Sequence, residues 1–218
     1  MAIERILTED DFQKIIERNG KPPFAFRNTV LVIAGSYWLL TPYELTELRL
    51  EDVMDKSGEF YAIWTLPDYV SQNGEARELR TANHIVKIME SYIQWWIDND
   101  FHSSGKVAYR GRNPKAPFIL NDNFEGYSLS KREKNASPTI PVTMNKKLTS
   151  LLDNAGYKGV TASSFRDSGI KLMWDHKAHY NDLKDMTGIK TKSTLDAKIR
   201  PHEVEIDTVL NNVFRNIK

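Results

Sequence analysis

Arg166 is the residue with the most chemistry in its setting. It stands in the stretch Val160 to Trp174, Val-Thr-Ala-Ser-Ser-Phe-Arg-Asp-Ser-Gly-Ile-Lys-Leu-Met-Trp, which Gly159 precedes. Thr161 or Ser163 can cap a helix there by accepting from a backbone N–H two or three residues on. Phe165, Leu172 and Met173 fall on one stripe at helical spacing, which puts Arg166 in the second turn. The N-terminal end of a helix favours anions. A guanidinium at that point suits an anion arriving from outside, held jointly by the helix end and the Arg fork. The competing reading is a surface Arg paired with Asp167 or another acid.

Other residue types capable of chemistry give weaker patterns. His176 and His179 lie three apart and could ligate a metal with Asp175 or Asp182, but no third ligand spacing stands out, so no metal is expected. Ser163 and Ser164 lack a nucleophile elbow, and capping accounts for both. There is no Gly-rich phosphate loop and no cysteine, so neither a disulfide framework nor a thiolate metal site is available. No cofactor is expected.

The 218 residues are 40% hydrophobic and 27% charged, ordinary for a soluble globular protein. The N-terminus is too acidic and too short of an apolar core for a signal peptide. The longest apolar run, Thr29 to Leu40, falls short of the ~20 residues a bilayer requires. A cytoplasmic protein without membrane contact is expected. Charge is unevenly spread. Met1 to Ser103 carries 10 Lys and Arg against 17 Asp and Glu, a net −7, whereas Ser104 to Arg200 carries 18 against 9, a net +9. Pro201 to Lys218 carries 2 against 3, and the whole chain is +1. A basic middle-to-late segment in clusters on polar loops suggests a face for a polyanion.

The elements that must position these groups read as follows. Thr8-Glu9-Asp10-Asp11 is a capping box opening a helix with Phe12, Ile15 and Ile16 on its stripe and Gly20 at its end. Ala25 to Leu40 is apolar almost all round, a buried helix. Thr41-Pro42-Tyr43-Glu44 is a second capping box, leading into a short helix that carries Leu45, Leu48 and Leu50 inward. Phe60 to Leu66 and Glu75 to Thr81 read as strands joined by an Asn73-Gly74 hairpin. Asn83 or Thr81 caps a long helix to Asn99, with Tyr92, Trp95 and Trp96 in the core. From Ser103 to Thr139 only Phe118-Ile119-Leu120 looks like a strand. Lys106, Arg110, Arg112, Lys115, Lys131, Arg132 and Lys134 stand around it with Tyr109 and Tyr127 between them, a common way to meet a phosphate backbone. Helices follow over Thr143 to Ala155, Asn181 to Thr187, from Thr191 or Ser193 to before Pro201, and over 203–218, the last with Val204, Leu210, Val213, Phe214 and Ile217 on its apolar face.

Helices, a small antiparallel sheet, then more helices is an order that resembles the catalytic domain of the tyrosine recombinases, the phage-integrase family. Ala34 to Val53, with its Tyr-Glu-Leu-Thr-Glu-Leu-Arg-Leu-Glu-Asp-Val, resembles the family's first signature. Gln72-Asn73-Gly74 resembles the hairpin that presents its lysine, Ser163-Ser164-Phe165-Arg166 its His-x-x-Arg, and Leu183 to Lys198 its Leu-Gly-His segment leading to the nucleophilic tyrosine. The resemblance implies a single catalytic-like domain over 1–218, mostly α with a small antiparallel β-sheet. It also implies duplex DNA as partner, a setting of DNA recombination or integration in a mobile element or prophage, and a terminal helix that docks on a second copy or on its own domain.

Departures from the family pattern carry the functional expectation. The family's first arginine falls on Thr41, its lysine near Gln72, its histidine on Ser163, its second His or Trp on Ile189 and its nucleophile near Lys198, and no tyrosine follows Tyr180. Only Arg166 remains. Attack on a phosphodiester needs the nucleophile, charge-binding arginines and proton carriers together. The expected function is therefore a catalytically inactive DNA-binding regulator or accessory factor. Its expected DNA contacts are Arg110, Arg112, Lys115, Lys131, Arg132, Lys134, Lys146, Lys147, Arg166, Lys190 and Lys192. The alternatives are an active recombinase with a displaced or partner-supplied tyrosine, and a protein-interaction module without DNA binding. The family usually places a helical arm-like domain first; here the chain begins almost at the catalytic-like domain, as a fragment or as half a clamp.

Overall fold

The computed structural model describes residues 5–135 and 137–200. The first capping box forms as read: Thr8 Oγ1 accepts from Asp11 N at 3.2 Å and Asp11 Oδ2 accepts from Thr8 N at 3.0 Å. It opens α1 (Glu9–Asn19), which Gly20 ends. The buried helix is α2 (Ala25–Ser36), shorter than its apolar run. Leu39 adopts a φ of 55°, so the chain turns there, and Trp38, Leu39 and Leu40 enter the core as loop. The expected short helix is split into α3 (Pro42–Glu47) and α4 (Leu50–Val53), with Leu45, Leu48 and Leu50 all buried.

The antiparallel pair is present but trimmed. β1 (Ile63–Leu66) pairs with β2 (Arg77–Arg80) in the register Ile63 to Arg80 and Leu66 to Arg77. Phe60 only bridges Met54, and Asn73-Gly74 lies inside a long connection of residues 67–76 rather than closing a two-residue turn. Helix α5 (Asn83–Asp98) has no side-chain cap. Thr81 is occupied elsewhere, since its Oγ1 accepts from the indole N–H groups of Trp38 at 3.1 Å and Trp64 at 3.2 Å. Tyr92, Trp95 and Trp96 are core, as expected.

Phe118, Ile119 and Leu120 are buried but form no strand; the segment touches its neighbours through single bridges, Arg49 to Pro117 and Leu120 to Gly126. Tyr92 replaces the missing ladder, its hydroxyl donating to the Phe118 carbonyl at 2.9 Å and accepting from Leu120 N at 3.3 Å. A second two-stranded sheet, β3 (Ser130–Lys131) with β4 (Pro138–Ile140), was not anticipated from the sequence. Then come α6 (Val142–Asn154), α7 (Ser164–Asp175), α8 (Tyr180–Thr187), closed by Gly188 in the left-handed conformation, and α9 (Lys192–Ile199). The helix read over 203–218 lies outside the described residues.

Most of the core is one cluster around α2 and α5. Leu39, Ile170, Leu183, Leu195 and Ile199 form a second, smaller one that holds α8 and α9 against α7. At ~1.5–3 kcal/mol per fully buried aliphatic side chain, this patch is a modest clamp. The α7 helix sits against α2 through small residues. A Cβ on Gly169 would lie 1.9 Å from the Ser36 carbonyl oxygen, and one on Gly35 would lie 3.2 Å from Phe165 Cβ. Ser168, one residue before Gly169, accepts at its Oγ from Leu7 N at 2.7 Å.

This crossing yields the first prediction. Gly169→Ala forces α7 away from α2 and lowers unfolding stability by about 1–3 kcal/mol or more, read by urea denaturation. A variant as stable as the wild type would show that the two helices are not held at this separation.

Candidate functional site

Glu44 is the centre of the region where the recombinase-like positions converge. The second capping box places it: Thr41 N donates to Glu44 Oε2 at 2.8 Å and Thr41 Oγ1 accepts from Glu44 N at 3.3 Å. Arg77 on β2 then grips the same carboxylate with both terminal nitrogens, Nη1 to Oε1 at 2.6 Å and Nη2 to Oε2 at 2.9 Å. Gln72 N adds a donor to Oε1 at 3.2 Å. Both side chains are almost fully buried, 6% exposed for Arg77 and 2% for Glu44. Burial pushes the Glu44 carboxyl up, but the Arg77 fork and the Thr41 amide outweigh it and hold the group below the usual carboxylate range.

From Arg77 the network reaches the end of α8. Arg77 Nε donates to the Met186 carbonyl at 2.7 Å, Arg166 Nη2 to the Thr187 carbonyl at 2.5 Å and Asn73 Nδ2 to the Gly188 carbonyl at 2.9 Å. The last carbonyls of a helix carry partial negative charge and lack intrahelical donors, so cations and amides belong there. Arg166 is half-buried. Its desolvation lowers its pKa, Glu44 opposes that and Arg77 adds to it. Its Nε has no partner among the described residues. The sequence expectation of an Arg166–Asp167 pair is not met: Asp167 Oδ2 accepts from Lys198 Nζ at 2.6 Å.

Each degenerate position has a definite local role. Thr41 is buried as the cap of α3. Ile189 is half-buried against the smaller cluster. Lys198, where the resemblance puts the nucleophile, is ion-paired to Asp167. Gln72 and Ser163 meet across an open groove of about 730 Å³, together with Tyr43, Asn145, Thr149 and Thr161. Among the described residues no charged side chain lines that groove, and Arg166 is not part of its wall. Neither expected serine or threonine cap of α7 forms. Ser163 itself has helical angles, and its hydroxyl meets Thr161 Oγ1 at 2.9 Å. His176 Nε2 lies 2.9 Å from Glu9 Oε1, and no metal-ligating group of three occurs among the described residues.

The basic residues divide into two sets. Lys115, Lys131, Arg132, Lys134, Lys146 and Lys192 are exposed. Arg110 is held by Glu90, with Nη2 to Oε1 at 2.8 Å, and Arg112 donates to Asp100 Oδ1 at 3.0 Å and the Phe101 carbonyl at 2.9 Å. These two are therefore structural ties rather than open cations. Lys147 pairs with Asp122 at 3.1 Å and Lys190 with Glu75 at 2.5 Å. Tyr109 and Tyr127 pack against the main core, and Tyr127 also lines a cavity with Lys146 and Lys147.

Sequence reasoning read Glu44 only as a cap and missed Arg77. The available signal was the alternation of β2, which puts Arg77 and Leu79 on the inward face. An inward-facing Arg demands a carboxylate.

No protein-family model matches this chain, and no curated protein does either. Solved structures do. The XerA recombinase matches with a TM-score of 0.65 at 16% identity, over 99% of this chain and 65% of that one. The XerH site-specific recombinase, bound to a palindromic difH substrate in a post-cleavage complex, matches with a TM-score of 0.60 at 12% identity, over 95% of this chain and 53% of that one. The Tn1549 transposon integrase, in complex with transposon right end DNA, matches with a TM-score of 0.59 at 12% identity, over 100% of this chain and 68% of that one. The fold is therefore that of the tyrosine recombinases, mostly α with small antiparallel sheets, and the chain spans about two thirds or less of the XerA and XerH chains. Among the described residues no helix is long and apolar enough to cross a membrane.

The buried ion pair makes a second prediction. Arg77→Met leaves Glu44 without its main counter-charge, at a cost of about 3–5 kcal/mol in unfolding stability at neutral pH. In the wild type the folded carboxyl titrates below its unfolded value of about 4.3. The stabilisation it provides is complete above that pH and fades as pH falls through the depressed folded value. Denaturation of both proteins between pH 7 and pH 3 should show their difference shrinking on the acid side; a constant difference would place the effect in packing instead of charge.

Proposed function

We propose that the chain binds duplex DNA without cutting it, as a catalytically inactive protein with a recombinase fold that acts as a regulator or an accessory factor. The observation that carries this reading is Lys198. Near where the resemblance puts the nucleophile, the side chain is an ammonium paired with Asp167, and no tyrosine follows Tyr180 in this sequence. Around it, Thr41, Gln72, Ser163 and Ile189 supply no charge and no proton carrier of useful pKa. Arg166, the remaining catalytic-type residue, donates to the Thr187 carbonyl. Support for DNA comes from the +9 segment between Ser104 and Arg200 and its exposed lysines. The similar XerH and Tn1549 proteins were solved with DNA. A setting in DNA recombination or integration, on a mobile element or prophage, follows from the same likeness.

One observation favours a second reading, an active recombinase with a displaced tyrosine. Tyr43 lines the same groove as Gln72 and Ser163. Tyr157 is a poorer candidate, because its hydroxyl donates to Asp11 Oδ1 at 2.5 Å under the flanking cations Arg5 and Lys14. Tyr180 sits at the start of α8, its hydroxyl 3.5 Å from the Lys192 carbonyl.

Two measurements test the proposal. Labelled duplex should bind with an affinity that falls steeply as salt rises, and reversing Lys131, Arg132 and Lys134 together to Glu should weaken it further; no binding at ~50 mM salt would sink the reading. A nicked suicide duplex should trap no protein–DNA adduct. A denaturation-resistant adduct that Tyr43→Phe, Tyr157→Phe or Tyr180→Phe abolishes would establish the second reading.

A further inference from the structure

An open cavity of about 440 Å³ lies between α6 and the loop of residues 121–128. Thr143, Lys146, Lys147 and Ser150 form one wall, the i, i+3, i+4 and i+7 positions of a single helix face. Asp122 and Tyr127 stand opposite. Behind Asp122, Arg27 is fully buried, with Nη2 on Asp122 Oδ1 at 2.8 Å, Nη1 on the Leu120 carbonyl at 2.8 Å and Nε on Asn28 Oδ1 at 2.9 Å. Lys147 Nζ reaches the same Asp122 Oδ1 at 3.1 Å. One carboxylate oxygen thus serves two cations, while Lys146 is exposed and meets no carboxylate among the described residues.

The charge balance of this place is unresolved within the chain. Three cations face one anion whose side chain is 62% exposed. Burial lowers the pKa of Lys147, Arg27 lowers it further, and Asp122 does not restore it. Burial also pushes the Tyr127 phenol up to about 12, so it stays neutral and adds no negative charge. Such a cluster is relieved by a second anion. Exposed Lys131 lies on β3, which pairs with β4, and β4 runs through Pro141 into α6; Arg132 and Lys134, also exposed, follow in the connection between the two strands.

We propose that this cavity seats a phosphate group, which takes Lys147 from Asp122 and is held with it by Lys146 and the hydroxyls of Thr143 and Ser150. Arg27 keeps Asp122 in place. The backbone of duplex DNA supplies the phosphate, since the neighbouring lysines extend the same positive surface. This deepens the proposed DNA binding and rests on it, and it puts the anchor outside the Tyr43–Ser163 groove. Asp122 is then a built-in competitor that sets how tightly DNA is held.

The test is fluorescence anisotropy of a labelled duplex with the full chain over a salt series, beside thermal melting of each variant. Lys147→Gln should weaken binding about tenfold and lower the salt slope by about 0.9. Asp122→Asn should tighten binding; if it melts early because Arg27 loses its partner, Lys146→Gln with Lys147→Gln carries the test alone. A Lys147→Gln protein that melts like the wild type and binds with unchanged affinity and slope overturns the site while leaving DNA binding intact. A wild type that binds no duplex, yet whose melting point inorganic phosphate raises at constant ionic strength and Lys147→Gln abolishes that rise, overturns DNA as the source.

Discussion

A single buried carboxylate ties together the hairpin connection, α3 and the end of α8. Taking Glu44 out of water costs several kcal/mol, and only a full set of donors offsets that. The donors come from three places: the Thr41 cap of α3, the amide of Gln72 in the 67–76 connection and the fork of Arg77 on β2. Arg77 continues to the carbonyl of Met186. The hairpin, α3 and the end of α8 are therefore fixed to one another by an ionic knot. The apolar patch under α8 and α9 would hold them less specifically, because non-directional contacts tolerate sliding and a bidentate fork does not.

That knot also explains the electrostatic character of the groove beside it. The charges that converge there are consumed internally, Arg77 by Glu44, Arg166 by the Thr187 carbonyl and Lys198 by Asp167. Among the described residues the groove wall is left uncharged, a mixture of apolar side chains with a few hydroxyls and amides. A phosphate in it would find hydroxyls and amides but no Coulomb attraction. Exposed cations stand outside its wall, at Lys115, Lys131, Arg132, Lys134, Lys146 and Lys192. Binding built from such exposed cations is long-ranged, screened by salt and indifferent to base sequence.

The readability of the sequence follows the range of the interactions. Both capping boxes, the Gly20 and Gly188 helix ends and the core role of Tyr92 and Trp96 were legible because each is decided within a few residues. Helix α2 ended early because Leu39 turns inward to serve the cluster with Ile170 and Leu183, contacts more than a hundred residues away in the chain. Thr81 looked like a cap and became the acceptor for two indoles. Phe118 to Leu120 had the composition of a strand, yet it is held by scattered bonds instead of a ladder, Phe118 N donating to the Leu48 carbonyl at 2.8 Å and the Tyr92 hydroxyl bridging the Phe118 carbonyl and Leu120 N. In the site, the pairing network was not legible. Arg77 gave a local sign through the alternation of β2, whereas the pairing of Lys198 with Asp167 depends on how α9 folds onto α7.

The saturation of Glu44 has a consequence in mutational terms. Restoring an arginine at position 41 is a single substitution, but it would not restore a charge-binding group. Thr41 is buried, and its hydroxyl accepts from the Glu44 amide. A guanidinium there would lose that cap and meet a carboxylate whose two oxygens already hold Arg77. A Thr41→Arg side chain would thus bring a second cation to a carboxylate that Arg77 already holds, and loss of Arg77 alone would leave Glu44 without its main counter-charge. The effects of substitutions at positions 41 and 77 should therefore not add, because both act on Glu44.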